Sequence, residues 1–301
     1  MSQLQITRAT RQQVKARIAL DGPSGGGKTY TALIAAKVLA AGGKIILIDT
    51  ERKSASLYAD DPDLGVEFDK IELDDFDPAK YVQAIQLAEK SGYAVCVIDS
   101  LSHAWEGKGG ILDLHDKAVE RQKTKNSWTA WADVTPIHRD LVDAMLQSNM
   151  HIIATMRSKM EYVQEKNEST GRTEIKKLGM APIQRQGMEY EFTVVADLDI
   201  EHTLTVSKSR CKLIADAVVK KPDESFFEIF ANWLNSGAAF EPTRDLRTIW
   251  TEFIKTNAVT DTHVRQALGM LKVSEWLAAE SEKPRTIEGA MELVRDAMKP
   301  A

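Results

Sequence analysis

Asp21-Gly22-Pro23-Ser24-Gly25-Gly26-Gly27-Lys28-Thr29-Tyr30 is the stretch that decides how this chain folds. Gly22 to Thr29 fit G-x-x-x-x-G-K-[ST], the phosphate-loop pattern. Small residues at this spacing let successive backbone N–H groups turn inward onto the phosphates of a nucleotide. Lys28 is placed to reach the β- and γ-phosphates, and the Thr29 hydroxyl to ligate Mg²⁺. The flanks supply the context such a pattern needs. Ala16-Arg17-Ile18-Ala19-Leu20 reads as a short buried strand, and residues 29–39 as a helix rich in Ala and Leu, stopped by Gly42-Gly43. The helix N-terminus adds its dipole to the anion site. Gly22, Pro23, Ser24, Gly25, Gly26, Gly27, Lys28, Thr29 and Tyr30 are therefore the predicted nucleotide-binding residues, with ATP and Mg²⁺ as the expected ligands.

Working outward, buried strands and helices alternate. Lys44-Ile45-Ile46-Leu47-Ile48-Asp49 is a continuous apolar run of the kind a parallel strand buried on both faces requires. It ends in Asp49-Thr50-Glu51-Arg52, where open α/β sheets place ligands. Asp77-Pro78 opens a helix through Lys90. Tyr93-Ala94-Val95-Cys96-Val97-Ile98-Asp99-Ser100 is the next strand, and an apolar run closed by Asp is the pattern whose carboxylate holds Mg²⁺. Residues 102–134 read as irregular and polar. Thr135-Pro136 has the form of a helix start, a cap followed by Pro at the first position, with the helix reaching Ser148. Met150 to Met156 is a fourth buried strand, and residues 157–187 a long exposed loop or flap. Glu191 to Ile200 and His202 to Arg210 predict an antiparallel hairpin, and Asp223 to Asn235 a closing helix.

The predicted fold is α/β: a phosphate-loop core with a mostly parallel sheet flanked by helices, a late antiparallel hairpin and a small helical appendage. The expected division is an arm over 1–15, the core over 16–236, a linker over 237–243 and the appendage over 244–301. A net charge of −5 argues against a uniformly basic nucleic-acid coat, so any such binding must come from local patches. No apolar run approaches the ~20 residues that span a bilayer, and the N-terminus lacks a signal-peptide core. Cys96 and Cys211 cannot build a disulfide framework, and a reducing cytoplasm is the expected compartment. Six scattered histidines show no metal-ligand spacing.

A nucleoside triphosphatase needs one carboxylate for the metal and another group to orient the attacking water. Asp99 is the metal partner, together with Thr29, and Glu51 the candidate general base.

In the order of these motifs the chain resembles the RecA family over about residues 15–236. That family follows its phosphate loop with a strand ending Asp-x-Glu, here Asp49-Thr50-Glu51, and then one ending Asp-Ser, here Asp99-Ser100. It next has a strand leading into a DNA-binding loop, matched by Ile152 to Arg157 and the flap. Its late hairpin ends in a Lys-x-Lys or Lys-x-Arg pair that reaches a neighbouring subunit's γ-phosphate, and Lys208-Ser209-Arg210 stands there. Lys208 and Arg210 alternate so as to share one strand face. RecA carries a glutamine sensor where this chain has Met156, a departure under which the resemblance implies coupling of DNA to hydrolysis only if Thr155 or Arg157 does the sensing. Gly22-Pro23-Ser24-Gly25, Ile48 to Arg52, Asp99 to Trp105, Ala154 to Lys159 and Glu189-Tyr190-Glu191-Phe192 resemble more closely a group of phage and prophage ATP-binding proteins with a RecA-type core. Some of these are treated as single-strand annealing recombination proteins.

The resemblance implies a homo-oligomeric ATPase that binds single-stranded DNA, with a single-strand-binding protein as a further partner. Residues 157–187 carry seven Lys or Arg against four Glu, a local excess of three and a candidate phosphate track. Arg121-Gln122-Lys123-Thr124-Lys125 lies beside Trp128 and Trp131, and cations next to exposed aromatics suit binding of single strands by stacking. Three other readings share the phosphate loop: a hexameric helicase or loader in replication, a small-molecule kinase, and a nucleotide-gated binding protein with negligible turnover.

Overall fold

The computed structural model describes residues 10–52, 54–166, 173–237, 246–278 and 287–298; over 160–166, 173–179 and 246–249, and at 252, 278 and 288, it describes the backbone alone. The chain divides into two compact units, residues 1–240 and 241–301.

The first unit is built on a mixed sheet. Parallel strands β1 (Arg17–Gly22), β2 (Ile45–Asp49), β3 (Asp69–Glu72), β4 (Val95–Asp99), β5 (His151–Lys166) and β7 (Val194–Leu198) are joined by two antiparallel ones, β8 (Thr203–Ser209) and β9 (Val218–Lys220). Their spatial order is β3-β2-β4-β5-β1-β7-β8-β9. Strand alternation sorts the side chains into two cores. Ile18, Leu20, Leu47, Val97 and Ile153 face α1 (Lys28–Ala40) and α6 (Glu224–Asn235). Ala19, Ile46, Ile48, Cys96, Ile98 and Ala154 face α2 (Pro78–Lys90) and α5 (Ser127–Gln147). The central strands are apolar on both faces because both are covered. Buried Arg17 anchors the lower end: its guanidinium donates to the carbonyls of Met150 at 2.8 Å and Leu146 at 2.9 Å, so it caps the end of α5. Burial lowers its pKa to about 10.

The α/β architecture, the parallel core and the late hairpin agree with the sequence reading, and four parts differ. Residues 102–134 are helical: α3 (Ser102–Glu106), α4 (Ile111–Arg121) and the first third of α5. Ile111, His115 and Ala118 form a buried stripe on α4 beneath a polar outer face, and that outer face hid the period. Pro136 does not start a helix but lies inside α5, whose cap is Asn126, accepting from the N–H of Trp128 at 2.9 Å. The flap is not a loop: β5 continues to Lys166 and pairs antiparallel with β6 (Thr173–Pro182), from Ser158 opposite Pro182 to Lys166 opposite Thr173. Edge strands β3 and β9 are short, largely exposed and unforeseen.

Of the predicted arm, residues 1–9 lie outside the described residues. Arg11 sits over the Trp233 ring at 4.8 Å, tying the arm to α6. Of the predicted linker, 238–243 also lie outside them. The second unit has α7 (Leu246–Thr256), α8 (Asp261–Leu268), α9 (Val273–Ala278) and α10 (Ile287–Ala297), around Trp250, Phe253, Val264, Leu268, Ala290 and Val294. Among the described residues, no helix is long and apolar enough to cross a membrane.

Candidate active site

The loop after β1 is shaped by close approach. A Cβ on Gly22 would stand 2.5 Å from the Leu198 carbonyl oxygen, so no other residue fits beside β7. Gly27, at φ 84°, turns the chain into α1, and a Cβ there would meet His202 Nδ1 at 3.1 Å. Lys28 then folds back over the loop, donating to the carbonyls of Gly22 at 2.9 Å and Pro23 at 2.8 Å. Burial lowers its pKa, against the opposing pull of Asp99 and Glu51. A cleft of about 1130 Å³ opens here, lined by Lys28, Thr29, Glu51, Asp99 and Arg157 on one side of the loop and by His202 and Lys221 on the other.

The predicted metal pair meets. Thr29 Oγ1 donates to Asp99 Oδ2 at 2.7 Å, and from the neighbouring strand Thr155 Oγ1 donates to Asp99 Oδ1. β5 lies between β1 and β4, which is why Thr155 faces Asp99. Burial raises the pKa of Asp99, and the two hydroxyl donors oppose that rise. A hydroxyl and one carboxylate in contact form a hard oxygen donor set, the kind that suits Mg²⁺ shared with substrate phosphates. Among the described residues no group of three or more His, Cys, Asp or Glu forms a self-sufficient metal cage.

Glu51 lies at the end of the cleft, half-buried, and it has a partner the sequence did not reveal. Arg157 grips its carboxylate with a fork: Nη2 to Oε1 at 2.8 Å and to Oε2 at 2.7 Å, and Nε to Oε1 at 3.0 Å. Ser100 Oγ donates to Oε1 at 3.4 Å, and His103 Nε2 stands 4.0 Å from the same oxygen. His103 is fixed by Thr50 Oγ1 at 2.7 Å and by stacking on Phe76 at 4.6 Å. Burial would raise the Glu51 pKa, but the hydrogen bonds and charge of Arg157 outweigh it and hold the carboxyl below its ordinary value.

Lys208 and Arg210 stand elsewhere. β7 runs parallel to β1 and ends beside the loop, whereas β8 runs back from it, so this pair lies at the opposite end of the sheet from its own Lys28. Lys208 Nζ donates to three carbonyls, of Glu189 at 2.8 Å and of Tyr190 and Phe192 at 2.9 Å each. Arg210 is exposed. The two tryptophans also separate. Trp131 is packed between Trp105 at 5.9 Å and His115 at 4.3 Å, while Trp128 is 86% exposed beside exposed Lys123 and Lys125. Of the flap cations, Arg172 lies outside the described residues, as do the side chains of Lys166, Lys176 and Lys177.

No curated protein matches the chain. Among protein families, the one described as AAA domain matches residues 14–220. The match takes in every strand of the sheet and well over half of the chain, so the chain belongs to the AAA domain family and is a nucleotide-binding P-loop ATPase.

Proposed function

We propose that this ATPase is Mg²⁺-dependent and RecA-like, binds single-stranded DNA and acts in phage-type homologous recombination or strand annealing, as a cytoplasmic homo-oligomer. The observation that carries the reading is the course of β5. One unbroken strand brings Thr155 to Asp99 and Arg157 to Glu51, and then runs out as half of the ribbon that occupies the basic flap.

In this reading the loop amides and Lys28 hold the phosphates, and Thr29 and Asp99 hold the metal. Bound Mg²⁺ supplies neutralisation of the charge that develops on the phosphoryl oxygens. Glu51 takes a proton from water as the water oxygen bonds to the terminal phosphorus. The bond to the bridging oxygen breaks, and ADP and phosphate leave. Lys208 and Arg210 are too far from their own loop to serve it, which favours service to a neighbouring subunit. Arg121, Lys123 and Lys125 with exposed Trp128 offer charge and a stacking face to a single strand. A single-strand-binding protein is a further partner in this scheme.

The test is the steady-state ATPase rate without DNA, with single-stranded DNA and with duplex, at low and moderate salt. Stimulation by single strands that weakens with salt is expected. Turnover indifferent to all DNA would remove the nucleic-acid part of the proposal and favour an acceptor or protein partner. Directional unwinding by a ring would favour the replication motor.

A further inference from the structure

We infer that His103 is the proton acceptor behind Glu51: the proton that Glu51 takes from water passes on to His103 Nε2, and the ring carries it out of the site. This rests on the reading of Glu51 as the general base and adds where that base sends its proton. His103 acts through Glu51 and not on the nucleotide.

The backbone brings the two together. β2 and β4 are paired to their last residues, Asp49 opposite Asp99, and the Thr50 N–H extends the ladder by donating to the Asp99 carbonyl at 2.8 Å. Thr50 and Glu51 therefore emerge beside Ser100 and the first turn of α3, which carries His103. The ring stacks on Phe76, and its side chain is 12% exposed. Nε2 stands 4.0 Å from Glu51 Oε1, and Nδ1 stands 2.7 Å from Thr50 Oγ1.

The hydroxyl of Thr50 sets the tautomer. A hydroxyl has one proton to give and two lone pairs. This one accepts the Ser100 N–H at 2.8 Å and lies 3.0 Å from the Asp99 carbonyl and 3.3 Å from the Ser100 carbonyl. A carbonyl cannot donate, whereas an imidazole can. The arrangement that serves every partner sends the hydroxyl proton to the carbonyls and the Nδ1 proton to the hydroxyl oxygen. Nε2 is then left with a free lone pair on the side of the ring that meets the base.

Glu51 needs such an outlet. Its carboxyl is held below the ordinary value by the hydrogen bonds and charge of Arg157, so a proton gained from water has to move on. The other groups facing it are Arg157 and Lys28, which are cations, Tyr81, whose hydroxyl burial makes a still weaker acid, and Asp99. Both oxygens of Asp99 are taken by the Thr29 and Thr155 hydroxyls. Among the described residues, the acceptor that remains is the imidazole. Burial and then Arg157 lower its pKa, against the pull of Glu51, so the ring is neutral and able to accept. Arg52 is the further charge facing it. Asp75 and Asp77, either side of Phe76, are engaged by Lys80 and by the Ala79 N–H. The transfer restores the Glu51 carboxylate and leaves an imidazolium protonated on both nitrogens, which then loses one proton to solvent.

The experiment uses the full chain, comparing wild type with His103→Asn, His103→Gln and Glu51→Gln. Asparagine can keep the hydrogen bond to Thr50, because its amide reaches the place of Nδ1, but it has no nitrogen that accepts a proton. The readouts are kcat across pH, KM for ATP, melting temperature, and the nitrogen NMR shifts of the wild-type ring. His103→Asn should lower kcat by about 100-fold, the low end of what a positioned proton carrier contributes, with KM and melting temperature kept. Wild-type turnover should fall at acid pH as His103 takes up a proton, and in the variant that limb should move to lower pH, where Glu51 itself is protonated. The wild-type ring should carry its proton on Nδ1. His103→Gln should lose kcat in the same way, and it carries the test if the asparagine variant does not fold. The relay is overturned if a folded variant keeps the wild-type kcat and acid limb, if kcat falls only together with ATP binding, or if the ring carries its proton on Nε2. An active Glu51→Gln instead overturns the base assignment itself, which distinguishes the two failures.

Discussion

The hydroxyl of Thr29 donates to Asp99 at 2.7 Å, which joins the first turn of α1 to the end of β4, seventy residues further along the chain. The Thr155 hydroxyl holds the other oxygen of the same carboxylate, so Asp99 is aimed by two neutral donors. Both donors favour the charged form that burial disfavours. Thr29→Ala should therefore weaken Mg²⁺-dependent turnover, and Thr155→Val should do so through orientation alone. For Thr155→Val the expected loss is roughly 10- to 100-fold, the range for a residue that positions a metal-holding group. Titrating Mg²⁺ at fixed ATP checks this. An unchanged half-saturating Mg²⁺ concentration in Thr155→Val would end the positioning role.

Lys208 lies on β8 and Arg210 just beyond its end, and their surroundings predict different phenotypes. All three ammonium protons of Lys208 point at carbonyls of the turn 189–192. Lys208→Ala would strand those carbonyls, at a cost of about 1 kcal/mol given that the site is half-exposed. Its melting temperature should fall. Arg210→Ala should melt like the wild type, because its side chain is exposed, yet lose turnover in the assembled state if it serves a neighbour's site. Thermal melting alongside turnover over a range of protein concentrations separates the two. Equal melting temperatures would show that the carbonyl contacts of Lys208 contribute nothing.

What was legible in the sequence was local. Gly22 to Thr29 carry their chemistry in eight consecutive positions, and Ile45 to Asp49 and Val95 to Asp99 announce buried parallel strands by unbroken apolar runs. The pairing of Glu51 with Arg157 spans 106 positions and depends on β5 being inserted beside β4, which no single segment encodes. Thr135-Pro136 misled because Pro favours a first helical turn. Here it sits mid-helix, where the carbonyl of Ala132 forgoes its usual donor, and packing of Ala130, Val134 and Leu141 compensates. The ribbon was missed because charge dominates 157–182, although Glu161-Tyr162-Val163-Gln164 and Glu174-Ile175 carry strand formers.

The two tryptophans of the 121–131 segment make a paired control. Trp131, stacked between Trp105 and His115 with Arg185 5.8 Å above its ring, belongs to the core of α4 and α5. Trp128 contributes little there, at 86% exposed. If single strands bind by stacking, Trp128→Ala should lower affinity by about 1–3 kcal/mol without a change in melting temperature. Trp131→Ala should instead destabilise the protein. Fluorescence titration with an oligothymidine reads the first effect and calorimetry the second. Unaltered affinity in Trp128→Ala would take this segment out of the proposed interface.

Two buried groups give the stability opposite slopes with pH. Asp21, directly before the phosphate loop, is buried with Oδ1 unpaired and faces Asp197 across β1 and β7. Burial first, and then the Asp197 charge, push its pKa to about 8. The folded chain thus keeps a proton that the unfolded chain releases near pH 4, and stability falls as pH climbs from about 4 to 8. His151 behaves oppositely. Burial, then Lys15 and Arg17, lower its pKa to about 3, and its neutral Nδ1 accepts the Ala16 N–H at 3.0 Å. The unfolded chain gains a proton below about 6.5 that the folded one refuses, so stability falls as pH drops from there towards 3. Each unit of mismatch is worth about 1.4 kcal/mol, so each arm amounts to a few kcal/mol. Asp21→Asn should flatten the alkaline arm, gaining on the wild type steadily from pH 5 to 8, and His151→Gln should flatten the acid arm alone. Urea unfolding at half-unit steps from pH 4.5 to 8.5 measures both, and an Asp21→Asn curve parallel to the wild type would show that this carboxyl is ionised in the folded protein.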